Sequence, residues 1–240
     1  MKILALDSSG IVASVAIAED DAILAEYTVN YKKTHSQTLL PMLDEIAKMT
    51  ELDLDTVDAI AVAAGPGSFT GLRIGSATAK GLGLALEKPL IPVPTADALA
   101  YNLYDTKGLV CPIMDARRNQ VYTGIYRFEE HRLSVVKSQW AGAASELLEL
   151  LNGMGEPVTF LGDGVPVFRE LISETLKAPF SFAPAHVSRQ RAAAVAALGM
   201  EYYKQGKIES AAEHCPEYLR VSQAERERAQ RQKAAGEAGV

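Results

Sequence analysis

The order of strand-like and helix-like segments constrains this fold more than any other feature of the sequence. Three apolar strand segments joined by short polar turns come first, alternating helix and strand segments follow, and the same order then recurs. Strands joined by such short turns pair as an antiparallel meander rather than as a βαβ unit. The second run opens with an apolar strand ending in Asp115, as the first opens with one ending in Asp7, and in both runs the next strand begins five residues later. The repeated βββαβα pattern predicts an α/β protein with two similar lobes facing each other across a cleft; coincidence within an ordinary α/β protein is the alternative.

The predicted elements follow from apolar periodicity and turn residues. In the first run we predict strands at Lys2–Asp7, Val12–Ala18, Ala22–Val29, Ala59–Ala64 and Leu90–Val93, and helices at Ser36–Met49, Thr70–Leu86 and Thr95–Tyr104. In the second run we predict strands at Leu109–Asp115, from Gln120, at Arg132–Lys137 and at Pro157–Leu161, and helices at Ser145–Leu151, Val165–Leu176 and Ser188–Tyr203. These elements divide the chain into a first lobe at 1–105, a smaller second lobe at 106–220 and a charged tail at 221–240, with the helical stretch 188–205 packing back onto the first lobe.

Composition places the chain among globular proteins and excludes several other classes. With 240 residues, 48% of them apolar and 22% charged, the chain can bury a core, and its body is not disordered. Its apolar runs are too short to span a bilayer, and its first residues lack the pattern of a secretory signal. The two cysteines, Cys111 and Cys215, form no CxxC pair, so neither a disulfide framework nor a structural zinc site is expected. We therefore expect a cytoplasmic protein without membrane contact.

The charge distribution argues against extensive binding of nucleic acid. The net charge is −6, although residues 220–240 hold five Lys/Arg and three Asp/Glu. The body is therefore more acidic than the whole chain, and affinity for a phosphate backbone depends on clustered Lys and Arg. We expect any role in RNA chemistry to be indirect or to use the surface of a partner.

A glycine-rich turn at Gly65–Gly71 follows a strand and opens a helix. Such a turn can direct backbone N–H groups at an anion, aided by the helix dipole. Its GxGxxxG spacing is not the GxGxxG of a dinucleotide site, no Gly-Lys-Ser/Thr follows as in a P-loop, and Ser68 does not lie in a GxSxG sequence. These departures disfavour the three named motifs, and a tight strand–helix turn without a ligand is the alternative.

Few residues qualify for catalysis or for binding a metal. The four histidines are too far apart in sequence for an HxxxH or HExxH ligand pair, so a metallohydrolase is unsupported. His35 is expected to cap or pack at a helix start. The candidates for holding a metal–phosphate group across the cleft are Asp7, Ser8, Ser9, Gly65, Gly67 and Asp115. The alternative is that Asp7 and Asp115 only cap turns.

Two helices of the first lobe have features of an interface. Small residues recur every four positions along Thr70–Leu86, and each helical glycine costs about 1 kcal/mol relative to alanine. The cost is explained if another backbone packs closely, either from a partner helix or from the lobe's own sheet. Helix Ser36–Met49 has a wider apolar arc than packing on one sheet requires. We predict a partner interface at Leu39, Leu40, Leu43, Ile46, Leu72, Gly75, Ala79 and Gly83, and the alternative is that these residues are core.

Five groups of residues along the chain together resemble a known family. They are ILALDSS at Ile3–Ser9 with Ser14-Val15-Ala16, His35-Ser36-Gln37 with Leu39-Leu40-Pro41, GPGSFTGLRIG at Gly65–Gly75, Asp115-Ala116-Arg117-Arg118 with Val121-Tyr122, and Tyr218-Leu219-Arg220. The combination resembles the bacterial TsaB (YeaZ) family and spans nearly the whole chain. The glycine-rich stretch is its most specific part.

This resemblance implies both a fold and a function. The fold would be the actin-like/Hsp70-like ATPase fold, with two ribonuclease-H-like lobes. The function would be that of a non-catalytic scaffold in transfer of threonylcarbamoyl to N6 of adenosine 37 in tRNAs reading ANN codons. The implied partners are a TsaD-like catalytic subunit, a TsaE-like ATPase, a second copy when alone, and tRNA indirectly through the complex. No tightly bound cofactor is expected, only weak ATP or ADP binding at most in a vestigial cleft.

Two departures separate the chain from catalytic relatives. TsaD-like proteins carry a metal-binding HxxxH after the strand that matches Leu90–Val93, and here Thr95 and Leu99 stand where those histidines would fall. The sequence Gly162-Asp163-Gly164-Val165 only partly resembles the glycine-rich nucleotide turn of the second lobe. An ATP-using enzyme of the same fold remains an alternative. An M22-like peptidase is a weaker one, since no nucleophile or metal site can be placed.

Overall fold

The computed structural model describes residues 1–31 and 34–220; the predicted tail at 221–240 lies outside the described residues. The chain forms two five-stranded mixed sheets. Within the described ranges, none of the helices is long and apolar enough to cross a membrane.

The first sheet has the strand order β3-β2-β1-β4-β5. Its strands are β1 (Lys2–Asp7), β2 (Ala13–Glu19), β3 (Ala22–Val29), β4 (Ala59–Gly65) and β5 (Leu90–Pro94). The first three strands are antiparallel, as their short turns require, whereas β4 runs parallel to both β1 and β5. The helices α1 (His35–Met49) and α2 (Phe69–Ala85) supply the crossovers between parallel strands. A short 3₁₀ helix at Leu54–Thr56 precedes β4.

The second sheet has the equivalent order, β10-β9-β6-β7-β8. Its strands are β6 (Leu109–Asp115), β7 (Gln120–Glu129), β8 (Arg132–Ala143), β9 (Val158–Leu161) and β10 (Phe180–Phe182). The strands β6, β7 and β8 form an antiparallel meander, while β9 pairs in parallel with β6 and β10. The helices α4 (Ala144–Met154) and α5 (Val165–Thr175) pack against this sheet. The strand β6 therefore occupies the position that β1 holds in the first sheet.

Helices cover both faces of the first sheet. On one face, apolar residues of α1 and α2 pack against Leu4, Leu6 and Ile60. On the other face, the last helix, α6 (Ala192–Lys204), packs against β1 and β2. Small side chains allow a close approach there, because Ala61 faces Gly199, where a Cβ atom would lie 3.0 Å from the Ala61 Cβ. Burial on both faces explains why β1 and β4 are almost entirely apolar.

The helix α3 (Thr95–Tyr101) joins the two lobes through a buried polar group. The Asp97 carboxylate accepts hydrogen bonds from Tyr126 Oη of the second sheet, at 2.7 Å, and from Tyr202 Oη of α6, at 2.8 Å. Burial raises the pKa of Asp97, and burial together with the facing carboxylate raises the pKa values of Tyr126 and Tyr202. Because one carboxylate holds two phenols from different elements, this group fixes α3 between the lobes.

Two predicted boundaries differ from those observed by four residues or more, and one short strand was not predicted. The last helix begins at Ala192 instead of Ser188, because residues before it are drawn into the contact between lobes: Val187 O and Arg189 O accept the side-chain amide of Asn102. The strand β8 continues past Lys137 to Ala143, since its irregular pairing with β7 hides the alternating pattern. The three-residue strand β10 was not predicted, because so short a segment carries no periodicity.

Candidate functional site

Asp7, predicted as a cleft carboxylate, lies at the end of β1 and is 1% exposed. Its Oδ1 accepts the Ser9 N–H at 2.9 Å and the Ser9 hydroxyl at 2.6 Å. Burial raises the pKa of this carboxyl group to about 6, against the opposing effects of the two Ser9 hydrogen bonds and of nearby His35. These local bonds are those of a side chain that caps its own turn.

The glycine-rich turn packs directly on the loop that contains Ser8 and Ser9. A Cβ atom at Gly67 would collide with Ser9 O, and one at Gly71 would collide with Ser8 O. The Ser68 N–H donates to Ser9 O at 2.7 Å, and the Ser68 hydroxyl accepts the Gly71 N–H at 3.3 Å. The contact between the two loops therefore explains Gly67 and Gly71, and the N–H groups of Ser68 and Gly71 already have partners within the chain.

Gly65 is explained by a different contact, with the C-terminal segment Pro216–Arg220, which we call the strap. Its φ of +121° is a conformation that favours glycine, and a Cβ atom there would collide with Glu217 O. The Glu217 N–H donates to Ala64 O at 2.7 Å. Gln139 of the second lobe donates to Gly65 O at 3.1 Å and to Glu217 Oε2 at 2.8 Å. The strap thus lies over the glycine-rich turn and contacts both lobes.

The rest of the strap extends from α2 to the second lobe. The rings of Tyr218 and Phe69 lie 4.7 Å apart, and the Arg73 guanidinium is 4.1 Å from the Phe69 ring centre. Arg73 also donates from Nε to Tyr218 Oη at 3.4 Å. At the far end, the Arg220 guanidinium donates to Ala116 O, in the turn between β6 and β7. Sequence reasoning found the Tyr218-Leu219-Arg220 signature but gave no location for it.

Asp115, the candidate from the second lobe, lies in a more open turn. Its Oδ1 accepts the Arg117 N–H at 2.8 Å, and its Oδ2 is 3.3 Å from Arg117 Nη1. In the described part of the chain, no hydrogen bond or ion pair joins Asp115 to Asp7. The structure therefore brings together Asp7, Ser8, Ser9 and Gly67, places Gly65 under the strap, and leaves Asp115 in its own turn.

Thr95 and Leu99, where the resemblance implies that TsaD-like proteins carry histidines, have structural roles in this chain. The buried Thr95 hydroxyl accepts the Gly65 N–H at 3.2 Å, and Leu99 packs in an apolar cluster between the lobes. Among residues 1–31 and 34–220, no group of three His, Cys, Asp or Glu side chains could hold a metal ion. The donor set that such a site needs is missing from this part of the fold.

The predicted partner interface needs correction. Seven of its eight residues are buried inside the lobe, namely Leu39, Leu43, Ile46, Leu72, Gly75, Ala79 and Gly83. A Cβ atom at Gly75 would collide with Ser8 Oγ, and one at Gly83 would lie 2.9 Å from Leu90 Cδ2. The small-residue stripe is therefore wrong as a partner surface, because it lets α2 pack closely on its own sheet and the β1–β2 turn.

The outward surface of the same two helices carries different residues. Leu40 alone of the predicted set is exposed, at 53%, and Leu84 is exposed on α2. Gly81 is also exposed, and a Cβ atom there would meet nothing within 4 Å. An exposed helical glycine has no explanation in packing within the chain. Its position two residues away from both Ala79 and Gly83 of the buried pattern is the signal that sequence reasoning could have used.

Comparisons with known proteins agree with this architecture. Residues 22–228 match the family described as TsaD, tRNA N6-adenosine threonylcarbamoyltransferase. The Bacillus subtilis protein named tRNA threonylcarbamoyladenosine biosynthesis protein TsaB is 34% identical over 227 residues, which are 94% of this chain and 96% of the relative. The Escherichia coli protein of the same name is 34% identical over 61% of each chain.

A solved structure shows the same fold. A Pseudomonas aeruginosa protein described as similar to the peptidase YeaZ superposes with a TM-score of 0.78 at 26% identity, over 91% of this chain and 99% of its own. The fold is the actin-like type with two related α/β lobes, as predicted, and the matching relatives are named for threonylcarbamoyladenosine biosynthesis. The chain belongs to the TsaB (YeaZ) family of tRNA threonylcarbamoyladenosine biosynthesis proteins, within the wider TsaD family.

Proposed function

We propose that this chain is a non-catalytic subunit of the machinery that transfers threonylcarbamoyl to N6 of adenosine 37 in tRNAs reading ANN codons. A TsaD-like subunit would carry the catalysis and a TsaE-like protein would supply the ATPase. The observation that carries the proposal is the structural use of Thr95 and Leu99 at the positions where the resemblance implies metal-binding histidines in TsaD-like proteins. A hydroxyl that caps a loop and a buried leucine offer no ligands to a metal centre.

The experiment is reconstitution of tRNA modification from purified components. We expect the TsaD-like and TsaE-like proteins to modify tRNA when this chain is present and to lose most activity when it is omitted. This chain alone should transfer no threonylcarbamoyl. Equal activity with and without it, or transfer by this chain alone, would contradict the proposal.

Nucleotide binding by this chain is proposed to be weak at most. The support is that N–H groups of Ser68 and Gly71 are bonded within the chain and that the strap lies over Gly65. The Asp7 carboxyl group, which could face a metal–phosphate group, is bonded to Ser9 instead. Titration calorimetry with ATP–Mg²⁺ tests this, and a dissociation constant in the low micromolar range would favour an ATP-using enzyme of the same fold.

The partner surface is proposed to lie on the outward faces of α1 and α2, around Leu40, Gly81 and Leu84. Exposed leucines on adjacent helices offer apolar area, and an exposed glycine lets a second backbone approach closely. The same surface would pair two copies of this chain when the TsaD-like partner is absent, so the two assemblies would compete.

A pair of matched variants tests this surface. Leu40→Asp should reduce co-purification with the TsaD-like subunit at least tenfold and shift any homodimer to monomer, since an unpaired charge would be buried. Val167→Asp, at an exposed apolar position on α5 of the other lobe, is the control and should leave both assemblies intact. Loss of binding in both variants, or in neither, would show that this surface is wrong.

A further inference from the structure

The turn between β6 and β7 has an unusual backbone at exposed positions. Arg117, Arg118 and Asn119 have φ values of 65°, 56° and 58°, and all three are exposed. The turn is closed by the Ala116 N–H, which donates to Gln120 O at 2.9 Å. Left-handed backbone suits glycine and is tolerated by asparagine, but it is unfavourable for arginine. The sequence thus places arginine where glycine would be less strained.

The turn at the other end of β7 separates the effect of the backbone from that of charge. There Glu130 and His131 also have left-handed φ values, 49° and 61°, as a tight hairpin requires. That turn carries the acidic pair Glu129 and Glu130, whereas the β6–β7 turn carries two arginines. A ten-residue strand of about 33 Å separates the two turns. The positive charge is therefore specific to the end of β7 that meets the strap.

Two further arginines lie along the strap beside this turn. Arg220 donates to Ala116 O, and Arg73 contacts Tyr218 at the other end. Tyr218 lies between them and exposes 40% of its surface. We define the arginine patch as Arg73, Arg117, Arg118, Arg220 and Tyr218.

Two acidic groups beside the patch are already engaged. Asp115 lies 3.3 Å from Arg117 Nη1, and the Glu217 carboxylate accepts the Gln139 amide. The Arg117 side chain nevertheless remains 84% exposed. An exposed guanidinium keeps most of its donors free for a ligand, because it presents five N–H groups in a planar fork.

We propose that the arginine patch directly contacts the sugar–phosphate backbone of an RNA, which, resting on the proposed function, is the substrate tRNA. Guanidinium groups bind phosphates in a bidentate manner, and an exposed aromatic ring among them can stack on an unpaired base. The chain also continues from Arg220 into residues 221–240, which hold four Lys/Arg and three Asp/Glu. The acidic charge of the body confines the contact to this patch.

A charge reversal with a matched control tests the contact. The assembly of this chain with the TsaD-like subunit is titrated with unmodified tRNA transcript at several salt concentrations. Arg117→Glu/Arg118→Glu should weaken tRNA binding at least tenfold near 0.1 M salt, and the slope of log K against log salt should fall by about 1 to 2. Arg132→Glu/Lys177→Glu makes the same charge change at exposed positions away from the patch. It should bind tRNA within about twofold of the unaltered chain, because a change in net charge alone has only a small general effect.

A second variant separates binding from folding. Arg117→Gly/Arg118→Gly removes both charges and the backbone strain together, so its Tm should equal or exceed that of the original chain while tRNA binding still weakens. If this variant or the charge reversal binds tRNA as the control does, the proposal is overturned. The proposal is also overturned if the variants fail to bind the TsaD-like subunit but still bind tRNA, because the patch would then be a protein contact. Failure of the unaltered chain to support modification would instead contradict the proposed function.

Discussion

The β1–β2 turn and the β6–β7 turn lie at the same position in their respective sheets. The side chains of the first turn are bonded within the protein, whereas those of the second extend into solvent. In the first turn, Asp7 and Ser9 bond to each other, and Asp7, Ser8 and Ser9 are buried beside the glycine-rich turn. In the second, Asp115 supports a backbone that carries Arg117 into solvent. A repeated strand order therefore fixes where a turn lies, but burial determines whether its polar groups stabilise the fold or remain available for binding.

The largest expected effect concerns the close packing of the first turn. Gly71→Ala would place a Cβ atom against Ser8 O, and neither backbone can move freely, so we expect a loss of about 3 kcal/mol or more in the free energy of unfolding. Urea denaturation measures it. Gly81→Ala, on the same helix with open space around it, is the control and should gain about 0.5–1 kcal/mol. Similar values for both variants would mean that the two loops are not rigidly packed.

The next effect concerns the Asp97 carboxylate, whose hydrogen bonds to Tyr126 and Tyr202 join the two lobes. Asp97→Ala would leave the hydroxyls of Tyr126 and Tyr202 without their acceptor, and we expect a loss of about 2–4 kcal/mol. Tyr202→Phe removes one donor and should cost about 1 kcal/mol. Calorimetric unfolding provides the measurement. A split into two transitions in Asp97→Ala would show that the lobes depend on this carboxylate to unfold together.

A smaller effect depends on pH and distinguishes the two aspartates. The folded-state pKa of Asp7 is raised to about 6, so between about pH 4 and 6 the unfolded chain releases a proton that the folded chain retains. Stability is therefore lost as pH rises through this window, by up to about 3 kcal/mol, and the loss persists above it. Asp7→Asn should remove this dependence, because an amide does not titrate, and the variant should stay folded because its side-chain oxygen still accepts from Ser9.

The measurement is the difference in unfolding free energy between Asp7→Asn and the original chain at pH 4 and pH 8. The original chain should lose up to about 3 kcal/mol of stability between pH 4 and pH 8 relative to the variant. The variant should therefore gain in relative stability by that amount at pH 8. Asp115→Asn, in the open turn, serves as a comparison and should change stability by less than about 1 kcal/mol at pH 7. A constant difference between the two pH values for Asp7→Asn would contradict a buried carboxyl group with a raised pKa.

Much of this fold is predictable from the sequence, because its elements are long or bounded by strong turn residues. The β1, β3 and β6 boundaries match the predicted ones, since each is a continuous apolar or alternating segment ending at an acidic residue or a turn. The equivalence of the two runs also predicts the equivalent sheet orders. Periodicity does not show whether the small residues of a helix face the lobe's own sheet or a partner. The stripe Gly75–Ala79–Gly83 fits a partner helix and the lobe's own sheet equally well until the sheet is placed.

The strap and the hydrogen bonds of Asp97 between the lobes could not be predicted for a different reason. Both depend on contacts between residues more than a hundred positions apart, as in the bonds from Arg73 to Tyr218 and from Tyr202 to Asp97. No local pattern encodes such a contact, and Asp97 reads as an ordinary first-turn acidic residue of a helix. The candidate site was therefore identified as two turns, while the segment that lies between them was not.

The smallest effect concerns thiol reactivity and leaves stability unchanged. It distinguishes a cysteine in the core of the second lobe from one at the start of the strap. Burial raises the pKa of the Cys111 thiol to about 12, while Cys215 is exposed immediately before the strap. Because the thiolate is the reactive form, a disulfide reagent at pH 8 should modify one thiol quickly in the folded chain and both after unfolding in urea. Cys215→Ser should abolish the fast phase, and Cys111→Ser should leave it intact. Fast reaction of both thiols in the folded chain would show that the second sheet opens readily, and the contrast between a packed lobe interior and an accessible strap would not hold.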